Sequence, residues 1–93
     1  MKVLFWNTHK NADINETICE LVIENNSSIV ILAEYVADIN ALLNSLQLKY
    51  KINMQLYNNN CERIIIIGTV NNVEMRFDCD HSTIHIINEK DIL

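Results

Sequence analysis

Two short runs of apolar residues with no polar face restrict what this chain can become. They are Val3-Leu4-Phe5-Trp6 and Ile29-Val30-Ile31-Leu32. A run that is apolar on both sides fits a strand covered on both faces, which is the habit of a central or parallel sheet. Between the runs the period changes. Ile14, Ile18, Leu21 and Val22 fall at i, i+4, i+7 and i+8, so residues 13–25 read as a helix with one apolar stripe. Asp13 is placed to cap it, with Glu16 three residues later in a capping-box position. Strand, amphipathic helix and strand in this order form a βαβ unit with parallel strands.

The pattern continues with a helix expected at about 38–46, where Ile39, Leu42, Leu43 and Leu46 share a face and Asp38 stands near the start. The period then becomes two. Tyr50, Ile52, Met54 and Leu56 alternate with Lys51, Asn53 and Gln55, as in a strand with one covered face. Ile64 to Ile67 is a third apolar run. Val73, Met75 and Phe77 alternate with Glu74, Arg76 and Asp78, and 82–88 reads as a last strand. Two βα units followed by consecutive strands imply an α/β chain with a mixed sheet. No repeat or linker divides it, so residues 1–93 are expected to form a single domain.

Composition limits the functions open to this chain. It has one glycine and no proline, and asparagine takes over the turns at Asn25-Asn26, Asn58-Asn59-Asn60 and Asn71-Asn72. The formal net charge is −5, which repels a phosphate backbone unless a cation intervenes, and disfavours unaided nucleic-acid binding. No segment approaches the ~20 apolar residues of a membrane span, and the apolar opening is too short for a secretory leader. Cys19, Cys61 and Cys79 show no CxxC spacing, so free thiols in a reducing cytoplasm are expected.

Asn7 closes the first apolar run and Glu34 follows the second. Functional groups in open α/β sheets gather at the carboxyl ends of strands, and an amide oxygen beside a carboxylate suits a hard cation such as Mg²⁺. On pattern alone, strand-end Asn and Glu are more usually turn or cap residues.

The same residues carry a family resemblance. Phe5-Trp6-Asn7-Thr8, followed about 25 residues later by Ile31-Leu32-Ala33-Glu34-Tyr35, resembles the opening of the endonuclease/exonuclease/phosphatase (DNase I-like) superfamily. Cys61-Glu62-Arg63-Ile64-Ile65-Ile66-Ile67 is similar to a later strand of those proteins. The resemblance implies the N-terminal half of a four-layer α/β sandwich, with Asn7 and Glu34 at a Mg²⁺ or Mn²⁺ site that acts on a phosphate-ester substrate. His9 and Lys10 would then lie where they can contact substrate phosphate. Tyr35, next to Glu34, is placed either to buttress it or simply to fill the sheet end. Ala33 stands where the family has Gln. The family's phosphate-supporting His, its Asp-x-Asn loop and its terminal Ser-Asp-His do not occur, so no catalytic residue is assigned. This chain alone is expected to be inactive.

Asp78, Asp80, His81 and His85 look like a ligand cluster in the text, but period two separates the aspartates from the histidines, and a solvated strand face is the preferred reading. The cysteines show no activating neighbour. With half of such a sandwich missing, an apolar face and an unpaired strand edge should remain, leading to self-association or to binding of a partner chain. The alternative to a phosphoesterase portion is a non-enzymatic half-fold or small α/β module that acts by association.

Overall fold

A computed structural model describes residues 2–57, 61, 63–69, 73–78 and 83–89, the last two segments as backbone. Strand β1 (Val3–Asn7) leads into helix α1 (Asn15–Asn25), then β2 (Ile29–Ala33) and helix α2 (Ile39–Tyr50). Strands β3 (Gln55–Tyr57), β4 (Ile64–Gly68), β5 (Val73–Asp78) and β6 (Thr83–Glu89) follow. The main sheet has the order β1-β2-β4-β3, and β5 and β6 form a separate two-stranded sheet. β1 and β2 are parallel, with Val3 opposite Ile29 and Asn7 opposite Ala33. β4 runs antiparallel to both β2 and β3. This is the α/β chain with a mixed sheet that the periodicity implies.

The central position of β2 explains its composition. Ile29, Val30, Ile31 and Leu32 are all buried because alternate side chains enter different layers. Val30 and Leu32 pack with Ile18, Val22, Leu42, Leu46 and Ile67 beneath both helices. Ile29, Ile31 and Ile66 pack on the other face, with Cys61 beside them and Tyr57 and Ile64 against them. The centre of the second face is therefore covered, contrary to the expected bare apolar surface. The first apolar run is not the buried central strand expected: β1 is an edge strand, and Val3 is 47% and Phe5 50% accessible.

Three local expectations are corrected. Helix α1 does not use Asp13 as its cap. Ile14 occupies that position with no side-chain hydrogen bond, while the Asn11 side chain accepts from the Asp13 N–H at 2.9 Å. Helix α2 is capped by Asp38, whose carboxylate accepts from the N–H groups of Asn40 and Ala41. It continues to Tyr50 and ends on left-handed Lys51, so the alternation from Tyr50 to Leu56 yields only the three residues of β3. The cause is competition between periods. Tyr50 is also i+4 from the buried Leu46, and both Tyr50 and Ile52 pack on the helical core. Cys61 is disulfide-bonded and Cys19 is free, so the thiols are not uniformly reduced. No helix of the described residues is long and apolar enough to cross a membrane.

Candidate functional site at the carboxyl end of β1 and β2

Parallel pairing brings Asn7 and Glu34 to one end of the sheet, because Asn7 is level with Ala33 and Glu34 is the next residue. The chain leaves both strands in unusual conformations. His9, Lys10 and Glu34 have φ of 53°, 58° and 54°. The left-handed region costs an L-residue with a Cβ roughly 1–2 kcal/mol, and asparagine or glycine normally fills it. Among the described residues, the other positive-φ positions are Asn26 and Lys51, which terminate helices. Three strained residues at two adjoining strand ends mark this place as over-determined by its surroundings.

Thr8 provides much of that determination. It is buried, and its hydroxyl lies 3.0 Å from the Ala33 carbonyl and 2.8 Å from that of Glu34, donating its one proton between them. The Thr8 N–H donates to the Ala33 carbonyl and the Lys10 N–H to that of Glu34. The Glu34 N–H donates to the Arg63 carbonyl at 3.2 Å, so the residue leading into β4 also holds this corner. Sequence reasoning missed Thr8, although a β-branched hydroxyl residue just past an apolar strand is the available signal.

The Asn7 amide oxygen accepts the His9 N–H at 2.8 Å, which closes a tight turn and leaves the oxygen one further lone pair. His9 Nδ1 lies 3.9 Å from Glu34 Oε2, with side chains 81% and 40% accessible. Such an exposed pair contributes little to stability. Tyr35 does not buttress Glu34. Its hydroxyl donates to the Asn15 side-chain oxygen at 2.5 Å, and the Asn15 amide donates to the Asp38 carbonyl at 3.1 Å. Burial pushes the Tyr35 phenol up to about 12, against the opposing effect of its bond to Asn15. This network fixes the segment after β2 onto the start of α1.

The site therefore gathers Asn7, His9, Lys10 and Glu34 on one rim. Its oxygen donors, one carboxylate and one amide, fit the mode in which Mg²⁺ takes one or two protein ligands and completes its shell with water and phosphate. Among the described residues, no group of three or more His, Cys, Asp or Glu is placed to hold a metal by itself. Asp80 and His81 lie outside the described residues. The hairpin register sets Asp78 across from Thr83 and His85 across from Arg76.

Comparison of the chain with protein families, characterised proteins and solved structures finds no match. The functional reading accordingly rests on the residues and their geometry.

Proposed function

We propose that this chain is the metal-binding N-terminal portion of a Mg²⁺-dependent phosphoester hydrolase, with Asn7 and Glu34 as the protein's cation ligands. The observation carrying this reading is the concentration of left-handed His9, Lys10 and Glu34 at the carboxyl ends of two adjacent parallel strands. An asparagine-rich chain had an easier residue for each of those positions, yet keeps titratable side chains there. A cation bound at this rim would supply Lewis-acid polarisation of a phosphoryl oxygen. Glu34 offers its carboxylate, Asn7 orients the loop while presenting its amide oxygen, Lys10 supplies positive charge and His9 a hydrogen bond to phosphate. The remaining strands belong, on this reading, to a four-layer sandwich.

Titration of the ¹⁵N-labelled chain with Mn²⁺ tests the site. Paramagnetic broadening should begin at the amides of residues 7–10 and 33–35, and Glu34→Gln should remove it. Broadening centred elsewhere, or unchanged in Glu34→Gln, removes the site. Residues 1–93 should not hydrolyse phosphodiesters above background, since general acid–base groups typically contribute about 10²–10⁴-fold and the family's histidine is not in this sequence. Robust Mg²⁺-dependent hydrolysis lost in Glu34→Gln would expose an overlooked base, with His9, His81 and His85 to be tested first.

The edge position of β1 favours a second reading, a module that acts by association with another chain. β1 carries no charge, bulge or proline from Val3 to Asn7, the devices that usually protect an edge.

A further inference from the structure

A groove of about 720 Å³ opens at the opposite end of the main sheet, between the carboxyl ends of α1 and α2. The length of a five-residue strand, about 16 Å, separates it from the Asn7–Glu34 rim. Its volume lies within the roughly 300–1,000 Å³ of small-molecule sites. Its chemistry differs from that of the chain as a whole. The protein has 12 Asp and Glu against seven Lys and Arg, yet among the described residues no acidic one lines the groove and Lys49 and Lys51 do. Residues Ser28, Asn53 and Thr69 share the wall, and the exposed Ile23, with Ile52, supplies apolar surface.

Two helix carboxyl ends contribute negative potential here. Two carbonyls in the last turns of each helix are occupied by backbone donors, and the lysines supply the opposing charge. The N–H groups of Asn26 and Ser27 donate to Ile23 and Val22, and those of Lys51 and Ile52 donate to Gln47 and Leu46. The two lysines are not equivalent. Lys49 Nζ is 3.1 Å from Glu16 Oε1 and 5.6 Å from the centre of the Tyr50 ring. Lys51 has no ion pair among the described residues, and it holds the left-handed cap of α2 at φ 61°. The equivalent cap of α1 is Asn26, a residue that tolerates this conformation. Lysine therefore carries backbone strain at the one cap that places an unpaired ammonium beside the groove.

We propose that this groove binds a small organic phosphate monoester, with Lys51 as the cation that selects the phosphate. A phosphate offers a point charge and acceptor oxygens to an ammonium and to hydroxyl donors, and the organic part lies against Ile23 and Ile52. The site is separate from Asn7 and Glu34 and stands or falls without them.

The test is an NMR titration of the ¹⁵N-labelled chain in EDTA, which removes any divalent cation, with adenosine 5′-monophosphate, adenosine and inorganic phosphate as probes. The monophosphate should saturate below about 1 mM. It should shift the amides of residues 26–28, 51–53 and 69, and bind about tenfold more tightly than either other probe. Lys51→Asn keeps a cap that accepts positive φ and removes the charge. It should weaken binding about tenfold while raising the melting temperature by about 2–4 °C, a combination that simple loss of folding cannot produce. Lys51→Arg should retain binding, and Glu34→Gln should leave it unchanged. Equal affinity for adenosine or for inorganic phosphate, shifts centred on residues 7–10, or unaltered binding by Lys51→Asn would each overturn the proposal.

Discussion

Replacing Gly68 by alanine sets two effects of opposite sign against each other. Alanine narrows the unfolded ensemble, which stabilises by about 0.4–1 kcal/mol wherever the native backbone accepts it. In the folded state, the added Cβ would lie 2.7 Å from Tyr57 Cε2, 2.9 Å from the Tyr57 hydroxyl oxygen and 2.8 Å from the Ser28 carbonyl oxygen. The ring belongs to the short edge strand β3 and can swing aside. The carbonyl cannot, because it accepts the Thr69 N–H at 2.9 Å, while the Ser28 N–H is tied to the Lys2 carbonyl at 2.8 Å. Gly68 also sits opposite both Ile29 and Gln55, so moving it disturbs two ladders. Overpacking of this kind costs about 1–3 kcal/mol, so the clash wins and the net loss should be about 1–2 kcal/mol. In a domain of this size that lowers the melting temperature by about 4–16 °C. Thermal and urea unfolding followed by circular dichroism measure it. Adding Tyr57→Ala should recover little, since the backbone contact remains. A Gly68→Ala protein as stable as the parent, or more so, would refute the assignment of this glycine to close backbone approach.

Tyr35 predicts a window of alkaline sensitivity. Its phenol is raised from 10 to about 12 in the folded state, so folding favours the protonated form. The stability it contributes is complete below pH 10 and is lost as pH rises from about 10 to 12. Tyr35→Phe should flatten the pH dependence of urea midpoints across that window, and an identical slope in both proteins would contradict the role of its burial. Thiol titration of the unfolded, unreduced chain should find fewer than three free cysteines, and Cys19 should react only after unfolding, since it is buried and burial raises its thiol. Three reactive thiols would remove the disulfide and restore the reducing-compartment expectation. If β1 is an associating edge, the chain should self-associate at micromolar concentration in sedimentation, and Phe5→Lys should shift it toward monomer by charging the exposed edge. A parent that sediments as a monomer with a cooperative melt would favour a self-sufficient small module.

The repeating elements were legible in the sequence because each has one dominant period. The doubly apolar Val3–Trp6 became the edge strand β1 because tertiary pairing gave it one neighbour, whereas the equally apolar Ile29–Leu32 reads as an interior strand and is one, between β1 and β4. The stripe through Ile14, Ile18 and Val22 could only cover that strand from one side. Where two periods overlapped, tertiary packing decided. Tyr50 and Ile52 alternate like a strand, but the core beneath α2 holds them as the end of a helix and its exit. The site shows the same division. Asn7 and Glu34 could be singled out from their strand-end positions. The left-handed turns at His9, Lys10 and Glu34, and the buried Thr8 hydroxyl that pins both strand exits, depend on contacts between residues about 25 apart in the chain. Local preference gives no warning of them, because titratable side chains at such angles are disfavoured until a neighbouring strand supplies the hydrogen bonds that hold them.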